Sequence, residues 1–217
     1  MFKWAYPGGP LSVEEALSKL PSYPEELGLD LRKAEDRFKW FVAAILFAKR
    51  ISASIAKRTF RKFLEEGLTS PGAILEAGWD RLVEVLDSGG YVRYDYSTAT
   101  NLLEAVKLLK ERYGGDIDRL HREAKDPKDL ERRLREFKGV GPTAVNIFLR
   151  ELRGVWDKAR PAPSRAALEV AGKLKLSDEK VRELEGKLVK LYIEYCKKGR
   201  CPSCPVKDHC SRSFRQV

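Results

Sequence analysis

Four cysteines lie close together near the end of the chain, and their spacing is that of a metal site. Cys196, Cys201, Cys204 and Cys210 follow the pattern C-x4-C-x2-C-x5-C, and none of the 195 preceding residues is a cysteine. Four thiolates are the usual ligands of a 4Fe–4S cluster, and they also suit tetrahedral zinc, for which His209 could replace one thiolate. Residue types alone do not separate these metals, so both stay open here. Disulfides are not expected, because the opening residues MFKWAYPGGP lack the apolar stretch of a secretion signal.

A glycine-rich turn is the second group with chemical potential. Lys138-Gly139-Val140-Gly141-Pro142-Thr143 stands between two helical patterns. Glycine permits positive φ and close backbone approach, and a helix that begins at Pro142 would offer its N-terminal amides to an anion. Such a hairpin would bind a DNA phosphate without reading sequence. An ordinary tight turn between helices is the alternative, since a G-x-G triplet alone is weak.

The charge of the chain favours a polyanionic partner. Forty-two Lys and Arg against 32 Asp and Glu give a net charge of +10, and neutralised phosphates release counterions. A thermophile's ion-pair-rich surface is the alternative, because 34% of residues are charged and the chain has only two Asn and one Gln. That bias explains the amount of charge but not its sign. The balance therefore indicates nucleic-acid binding.

Most of the chain shows the apolar periodicity of amphipathic helices, with no convincing strand pattern. We expect about ten short helices in an irregular all-α fold rather than a four-helix bundle. Ser12-Val13-Glu14-Glu15 predicts a capping box, Ser70-Pro71 another helix start, and residues 79–86 a separate helix. The longest apolar run, residues 40–48, is about half of a membrane span. We therefore expect a cytoplasmic protein with no membrane partner, and a monomer.

Residues 137–146, FKGVGPTAVN, resemble the helix–hairpin–helix of the endonuclease III superfamily of DNA base-excision glycosylases. The family pattern is roughly L-P-G-V-G-x-K-T-A-N, and Asn146 falls in register. The likeness extends from about Phe38 to Cys210 and includes the terminal four-cysteine motif, which such enzymes often carry as a 4Fe–4S cluster. Their usual spacing is C-x6-C-x2-C-x5-C, so two spacings match and the first loop is two residues shorter here. The resemblance favours 4Fe–4S over zinc.

The resemblance implies a helix–hairpin–helix glycosylase fold of two helical domains. A six-helix domain over residues 31–149 would carry the hairpin. Residues 1–30 with 150–217 would form a second domain, closed by the cluster loop. A damaged base would be turned out of the duplex into the cleft between the domains.

The residues that do the chemistry in this family are missing at the matching positions. The family's nucleophilic Lys, which forms a Schiff base in bifunctional members, corresponds here to Thr143. The family's catalytic Asp corresponds to Ser164, which is a good N-cap but supplies no charge. Asp157, in a loop about three residues longer than usual, and Asp95 are the substitute carboxylate candidates, with a solvated turn as the alternative for Asp157.

By the same resemblance, further residues are expected to contact DNA. Lys49 stands where the family has a polar residue that fills the gap left by the flipped base, and it is also a candidate for the missing amine; a solvated Lys at a helix end is the alternative. In the family's wedge loop, here residues 89–96, Tyr91 would stack into the opened base step and Arg93 would hold a phosphate. The short cysteine loop adds Lys197, Lys198 and Arg200 as backbone contacts. With Gly139, Val140, Gly141 and Thr143 of the hairpin, these form the predicted DNA-binding set.

The sequence thus predicts an N-glycosylase of base-excision repair that acts on double-stranded DNA, without the Lys-mediated lyase step. In a prokaryote such a protein would be associated with the nucleoid. The alternative is a catalytically silent protein that binds damaged or structured DNA on the same fold.

Overall fold

The structure, a computed structural model, describes residues 12–211. All regular structure in that range is helical, as the periodicity predicted. The α-helices are α1 (Val13–Ser18), α2 (Tyr23–Glu26), α3 (Ala34–Phe47), α4 (Ala53–Glu65), α5 (Pro71–Ser88), α6 (Asp95–Tyr113), α7 (Ile117–Glu123), α8 (Pro127–Leu134), α9 (Pro142–Arg150), α10 (Arg165–Leu174) and α11 (Asp178–Glu194). Three short 3₁₀ turns follow, at Cys196–Lys198, Cys201–Ser203 and Lys207–His209. None of the helices in this range is long and apolar enough to cross a bilayer.

Several helices begin where the sequence placed a start signal. The Ser12 hydroxyl accepts from the Glu15 amide, and the Glu15 carboxylate accepts from the Ser12 amide, which confirms the capping box. The Ser70 hydroxyl accepts from the Ala73 amide, with Pro71 in the first helical position of α5. The chain has non-helical torsions at Gly78 (φ 72°, ψ −178°), so α5 is two helical segments that meet at a kink. The second segment is the separate helix predicted from residue 79.

The chain forms two compact units. Of the described residues, 12–23 and 163–211 belong to one unit, and 24–162 belong to the other. Residues 1–11 and 212–217, which belong to the predicted second domain, lie outside the described residues. The sequence suggested borders after residues 30 and 149. Local contacts explain the wider extent of the middle unit: the Asp36 carboxylate accepts from the Asp30 amide, and Trp156 packs edge-on against Phe148.

Helix α3 is the centre of the middle unit. Its side chains from Trp40 to Leu46 are all buried, so apolar neighbours surround it on every side. Phe41 makes edge-on contacts with Phe137, just before the hairpin, and with Phe148 of α9. Burying each such ring contributes about 2 kcal/mol, and the aromatic pairs add to this. These contacts fix both arms of the hairpin against α3.

The other unit is built around α10 and α11. Its core comprises buried side chains of α1, α10, α11 and the last turns, among them Leu17, Val170, Leu188 and Val206. Cys196, Cys204 and Cys210 pack against the same core. The cysteine segment is therefore anchored by apolar contacts within its own unit.

Candidate functional site

The hairpin between α8 and α9 depends on a glycine that no other residue could replace without strain. Gly139 has φ +78°, a left-handed conformation that residues with a Cβ adopt only at a cost. A Cβ there would lie 2.9 Å from both Cβ and Nδ2 of Asn101 on α6. The Val140 amide donates to the Phe137 carbonyl (3.1 Å), which closes the turn, and the Val140 side chain is buried.

Helix α9 begins directly after this turn. Gly141 is its N-cap and Pro142 its first residue, and no side chain caps the amides of its first turn. By contrast, Asp126 caps α8 and Ser164 caps α10. The positive end of the α9 dipole is thus open to an anion. Gly141 has an ordinary φ of −89°, and a Cβ on it would meet nothing within 4 Å.

Arg135 is a neighbouring cation that the sequence reading missed. It borders a cavity of about 200 Å³ together with Pro142, Asn146 and Pro161, and its guanidinium has no ion-pair partner in residues 12–211. Lys138 is exposed and lies 3.9 Å from Glu104, a weak contact. Arg135 follows the last residue of α8 and precedes Gly141 by six residues. This short separation in sequence could have indicated that Arg135 lies next to the hairpin.

Thr143 and Asn146 lie on α9, downstream of the turn. Thr143, at the position of the family's Lys, is exposed on the first turn. Asn146 Nδ2 donates to the Ala162 carbonyl (2.9 Å), which ties the loop after α9 to the helix. Neither side chain supplies a nucleophilic amine.

Tyr91 requires a correction. Its side chain is only 1% exposed, and its hydroxyl donates to the Leu46 carbonyl at the end of α3 (2.8 Å). Burial raises the pKa of this phenol well above its usual range. Tyr91 is thus a core residue rather than the exposed, stacking residue that the sequence suggested, because the chain turns it inward after Gly90 (φ +85°).

The Tyr91–Leu46 hydrogen bond nonetheless places two predicted DNA contacts on neighbouring segments. Lys49 follows α3 three residues after Leu46, is half-buried, and forms no ion pair within residues 12–211. Arg93, two residues after Tyr91, is exposed and lies with its guanidinium carbon 5.5 Å from the Tyr94 ring centre.

The two candidate carboxylates are held differently. Asp95 is the first residue of α6, and its Oδ1 accepts from the Tyr96 amide (2.7 Å). The Asp157 side chain is 75% exposed, and its Oδ1 lies 2.7 Å from Nε2 of His121, which also stacks on Trp156. The hydrogen bond from His121 holds the pKa of Asp157 below its usual range. Asp157 is therefore an ionised, solvated carboxylate fixed to α7, as the alternative reading had it.

Ser164 caps α10, as its type predicted, and lies against a carboxylate that sequence reasoning missed. Its hydroxyl accepts from the Ala167 amide, and its own amide donates to Oε1 of Glu185 on α11 (2.8 Å). Glu185 is completely buried. The signal was available, because Glu185 follows Val181 by four residues and precedes Leu188 by three, on the apolar stripe of α11.

The cysteine segment consists of three 3₁₀ turns after α11. Cys196, Cys204 and Cys210 are half-buried, Cys201 is exposed, and none of the four is in a disulfide. Burial raises the pKa of the Cys196 and Cys204 thiols, and the neighbouring thiols shift both in the same direction. Within residues 12–211, however, no three His, Cys, Asp or Glu side chains are placed as ligands of a single metal ion. The donor chemistry fits a four-thiolate metal, whereas the side-chain arrangement alone does not define one.

The basic loop of this segment faces solvent. Lys197, Lys198 and Arg200 are all exposed, and Lys198 pairs with Glu194 of α11 (2.9 Å). Lys197 and Arg200 have no ion-pair partner among the residues that the structure describes. Two of the three predicted cations are therefore accessible to a phosphate.

A comparison of the chain with models of known protein families gives no match.

Proposed function

We propose that this protein binds duplex DNA through its hairpin and removes a damaged or modified base as an N-glycosylase of the endonuclease III-like helix–hairpin–helix type. The observation that carries the proposal is the conformation of residues 137–143. There, a left-handed Gly139 closes the turn and directs the first amides of α9 outward without a side-chain cap.

The hairpin suits a phosphate for three physical reasons. Amides at a helix N-terminus donate to anions, the helix dipole favours negative charge, and Gly141 leaves room for the strand to approach. Arg135 and Lys138 add cations next to the turn. Such contacts position a protein on DNA without reading its sequence, as a repair enzyme that surveys many sites requires.

Cations on other segments extend the proposed DNA contacts. Lys49 and Arg93 belong to the middle unit, and Lys197 and Arg200 belong to the unit with the cysteines. These side chains lack ion-pair partners among the residues described, so binding phosphate would not require them to give up an internal partner. The net charge of +10 acts in the same direction at longer range.

The proposed chemistry is hydrolysis without a lysine Schiff base. Excision requires a carboxylate that stabilises the positive charge on the sugar or activates water. Of the candidates, Asp95 is favoured, because its one bond is to the neighbouring Tyr96 amide, whereas Asp157 is bonded to the side chain of His121 on another helix. Thr143 leaves no amine on α9.

We also propose that Cys196, Cys201, Cys204 and Cys210 hold a 4Fe–4S cluster, with zinc as the alternative. The support is the donor set and its anchoring to one apolar core. The cluster would stabilise the segment that carries Lys197 and Arg200. Iron, sulfide and zinc analysis of protein purified without oxygen distinguishes the two metals, and protein devoid of all three would contradict both.

The hairpin is tested by Gly141→Ala. Replacing glycine as the N-cap destabilises the folded state by about 0.5–1 kcal/mol. Alanine also lowers the conformational entropy of the unfolded chain, which stabilises the protein by a similar amount, so the melting temperature should change little. The added Cβ stands where the DNA backbone would approach, so we expect at least ~10-fold weaker duplex binding, about 1.4 kcal/mol. Gly172→Ala, where a Cβ on α10 also meets nothing within 4 Å, is the control. Unchanged duplex affinity in Gly141→Ala would contradict the proposed grip.

A second function is favoured by one observation: at Ser164, where the resembling family has its catalytic Asp, the side chain carries no charge and the backbone amide is bonded to the buried Glu185. This favours a DNA-binding protein without excision activity.

The two functions are distinguished by incubating the protein with duplexes that each carry uracil, thymine glycol, 8-oxoguanine, hypoxanthine, an alkylated purine or an abasic site. Released base without a borohydride-trapped adduct supports the hydrolytic glycosylase. A trapped adduct would indicate an amine, to be tested with Lys49→Ala. Binding without release from any duplex supports the silent binder.

A further inference from the structure

Two aromatic rings stack on one another at the surface of the middle unit. Trp79 stands just after the kink of α5, and Tyr96 lies in the first turn of α6. Their ring centres are 5.5 Å apart and their planes differ by 27°. Trp79 is 40% exposed and Tyr96 is 63% exposed, whereas Trp40, Trp156 and Tyr91 are buried. Large rings are normally placed in a core, so an exposed stacked pair is unusual.

The pair is held rigidly by its own helices. The Trp79 Nε1 donates to the Thr100 Oγ1 (3.0 Å), and the Thr100 hydroxyl in turn donates to the Tyr96 carbonyl (3.0 Å). Tyr96 and Thr100 are four residues apart, on the same face of α6. The polar edge of the indole is therefore already satisfied within the protein.

The surroundings of the pair supply a cation. Arg93, three residues before Tyr96, is exposed and has no ion-pair partner in residues 12–211. Asp95 is the nearest acid in sequence to Tyr96, and one of its oxygens is bonded to the amide at the positive end of α6. Exposed planar rings with an arginine close by in sequence supply the stacking faces and the cation that proteins use for unpaired bases of a single strand.

Helix α6 also contacts the hairpin. Asn101 of α6 lies against Gly139, and only five residues, about 7.5 Å along the helix axis, separate it from Tyr96. One helix therefore carries both the stacked pair and the side chain that adjoins the phosphate-binding turn.

We propose that Trp79 and Tyr96 form a stacking platform for an unpaired nucleobase of single-stranded DNA, with Arg93 on the adjacent phosphate. The inference rests on the proposed function only for the choice of DNA as ligand, and it holds whether or not a base is excised. A protein partner fits less well, because a stable interface covers about 800 Å² on each side, and the exposed apolar side chains here are two rings and Val92.

The first test uses the fluorescence of the tryptophans. Titration with oligothymidylate of roughly 12 nucleotides, within the usual span of single-strand sites, should quench the emission of the intact protein. The quenched component should be lost in Trp79→Phe, which keeps a ring at this position. An oligomer of the same length without bases should not quench, because its charge is equal and only the stacking faces are removed.

The second test compares Tyr96→Ala with Tyr96→Phe, by anisotropy of a labelled oligothymidylate. Stacking contributes enough that the alanine variant should bind ~5- to 100-fold more weakly, while the phenylalanine variant binds like the wild type. Leu168→Ala removes an exposed apolar side chain of α10 and should change nothing. Circular dichroism and melting temperature establish that each variant is folded.

Failure of this inference is distinct from failure of the proposed function. Equal affinity of the Ala and Phe variants, quenching that persists in Trp79→Phe, or equal binding of the base-free oligomer would overturn the platform. Each of these results is compatible with duplex binding that is sensitive to Gly141→Ala. Conversely, the variants of Trp79 and Tyr96 could behave as expected while Gly141→Ala leaves the duplex affinity unchanged. That result would support the platform and contradict binding of duplex DNA by the hairpin.

Discussion

At the scale of single residues, the two glycines of the hairpin have different roles. Gly139 is required by the fold, because its φ of +78° and its contact with Asn101 exclude a side chain. Gly141 has an ordinary backbone and open space around its Cα. Only Gly141 is therefore suited to testing a ligand without disturbing the protein.

Gly139→Ala should destabilise the protein. The left-handed backbone costs about 1–3 kcal/mol for a residue with a Cβ, and displacing Asn101 adds to that cost. Chemical unfolding monitored by circular dichroism measures the change, with Gly141→Ala as the matched variant. Equal stability of the two variants would mean that the turn tolerates a side chain at residue 139.

Arg135→Ala should weaken duplex binding equally for all sequences. A single phosphate contact contributes about one unit to the slope of log affinity against log salt, and its loss should lower that slope by about one. Arg119→Ala, which removes an exposed arginine already paired with Glu123, serves as the control. A slope that stays the same in Arg135→Ala would exclude a contact of this side chain with phosphate.

Residue types predicted the hairpin and the Ser164 cap, because local backbone geometry dictates both. They did not predict which aromatic side chain of residues 89–96 faces solvent. Tyr91 and Tyr96 have the same chemistry, and their exposure depends on the torsions at Gly90 and on packing of α5 against α6. The stack of Tyr96 on Trp79 joins residues 17 positions apart, which no local pattern encodes.

At the scale of elements, hydrogen bonds and ring stacking join the segment after α9 to α7. Trp156 Nε1 donates to Oδ1 of Asp118, whose two oxygens also accept from Arg37 of α3 (2.6 and 2.5 Å). His121 then stacks on Trp156, with ring centres 4.7 Å apart, and bonds to Asp157. Polar contacts thus join three separate segments of the middle unit.

The Asp157 contact should make stability depend on pH in the acid range. The bond from His121 lowers the pKa of the folded carboxyl, so its contribution is present above the usual Asp pKa of about 3.9 and is lost as pH falls through the lowered value. Asp157→Asn should therefore melt below the wild type at about pH 5, and the difference should shrink as the pH falls below the usual Asp pKa. The exposed Asp80→Asn is the control. A difference in melting temperature that persists unchanged to pH 2 would contradict the linkage.

Element starts were predictable where a capping residue or proline marks them, as at Ser12 and Ser70. Helix α8, by contrast, ends at Leu134 without a glycine or proline to mark its end. The helices α2 and α7 have only four and seven residues, and segments of that length carry too little apolar periodicity to be predicted as helices. The contact between Ser164 and Glu185 was not predictable, because it depends on the packing of α10 against α11.

At the scale of the whole molecule, the middle unit is continuous in sequence, whereas the other unit is made from both flanking segments. Residues 24–162 should therefore fold when expressed alone, with a cooperative thermal transition. Residues 163–217 alone should not, because the core of that unit includes Ala16 and Leu17 of α1. Joining residues 12–23 to residues 163–217 through a flexible linker should restore folding of this fragment. Cooperative unfolding of residues 163–217 by themselves would show that α1 is dispensable.

The same interrupted order has a consequence for synthesis. Translation proceeds from the N-terminus, so α1 emerges about 150 residues before α10 and α11, with which it forms a core. At about 5–20 residues per second, the ribosome exposes the apolar side of α1 for roughly 7–30 s. By the end of that interval the nascent chain contains the hairpin and the Trp79–Tyr96 pair, while the cysteines are still untranslated. The hairpin that we propose as a DNA contact is therefore synthesised before the cysteines that we propose as metal ligands.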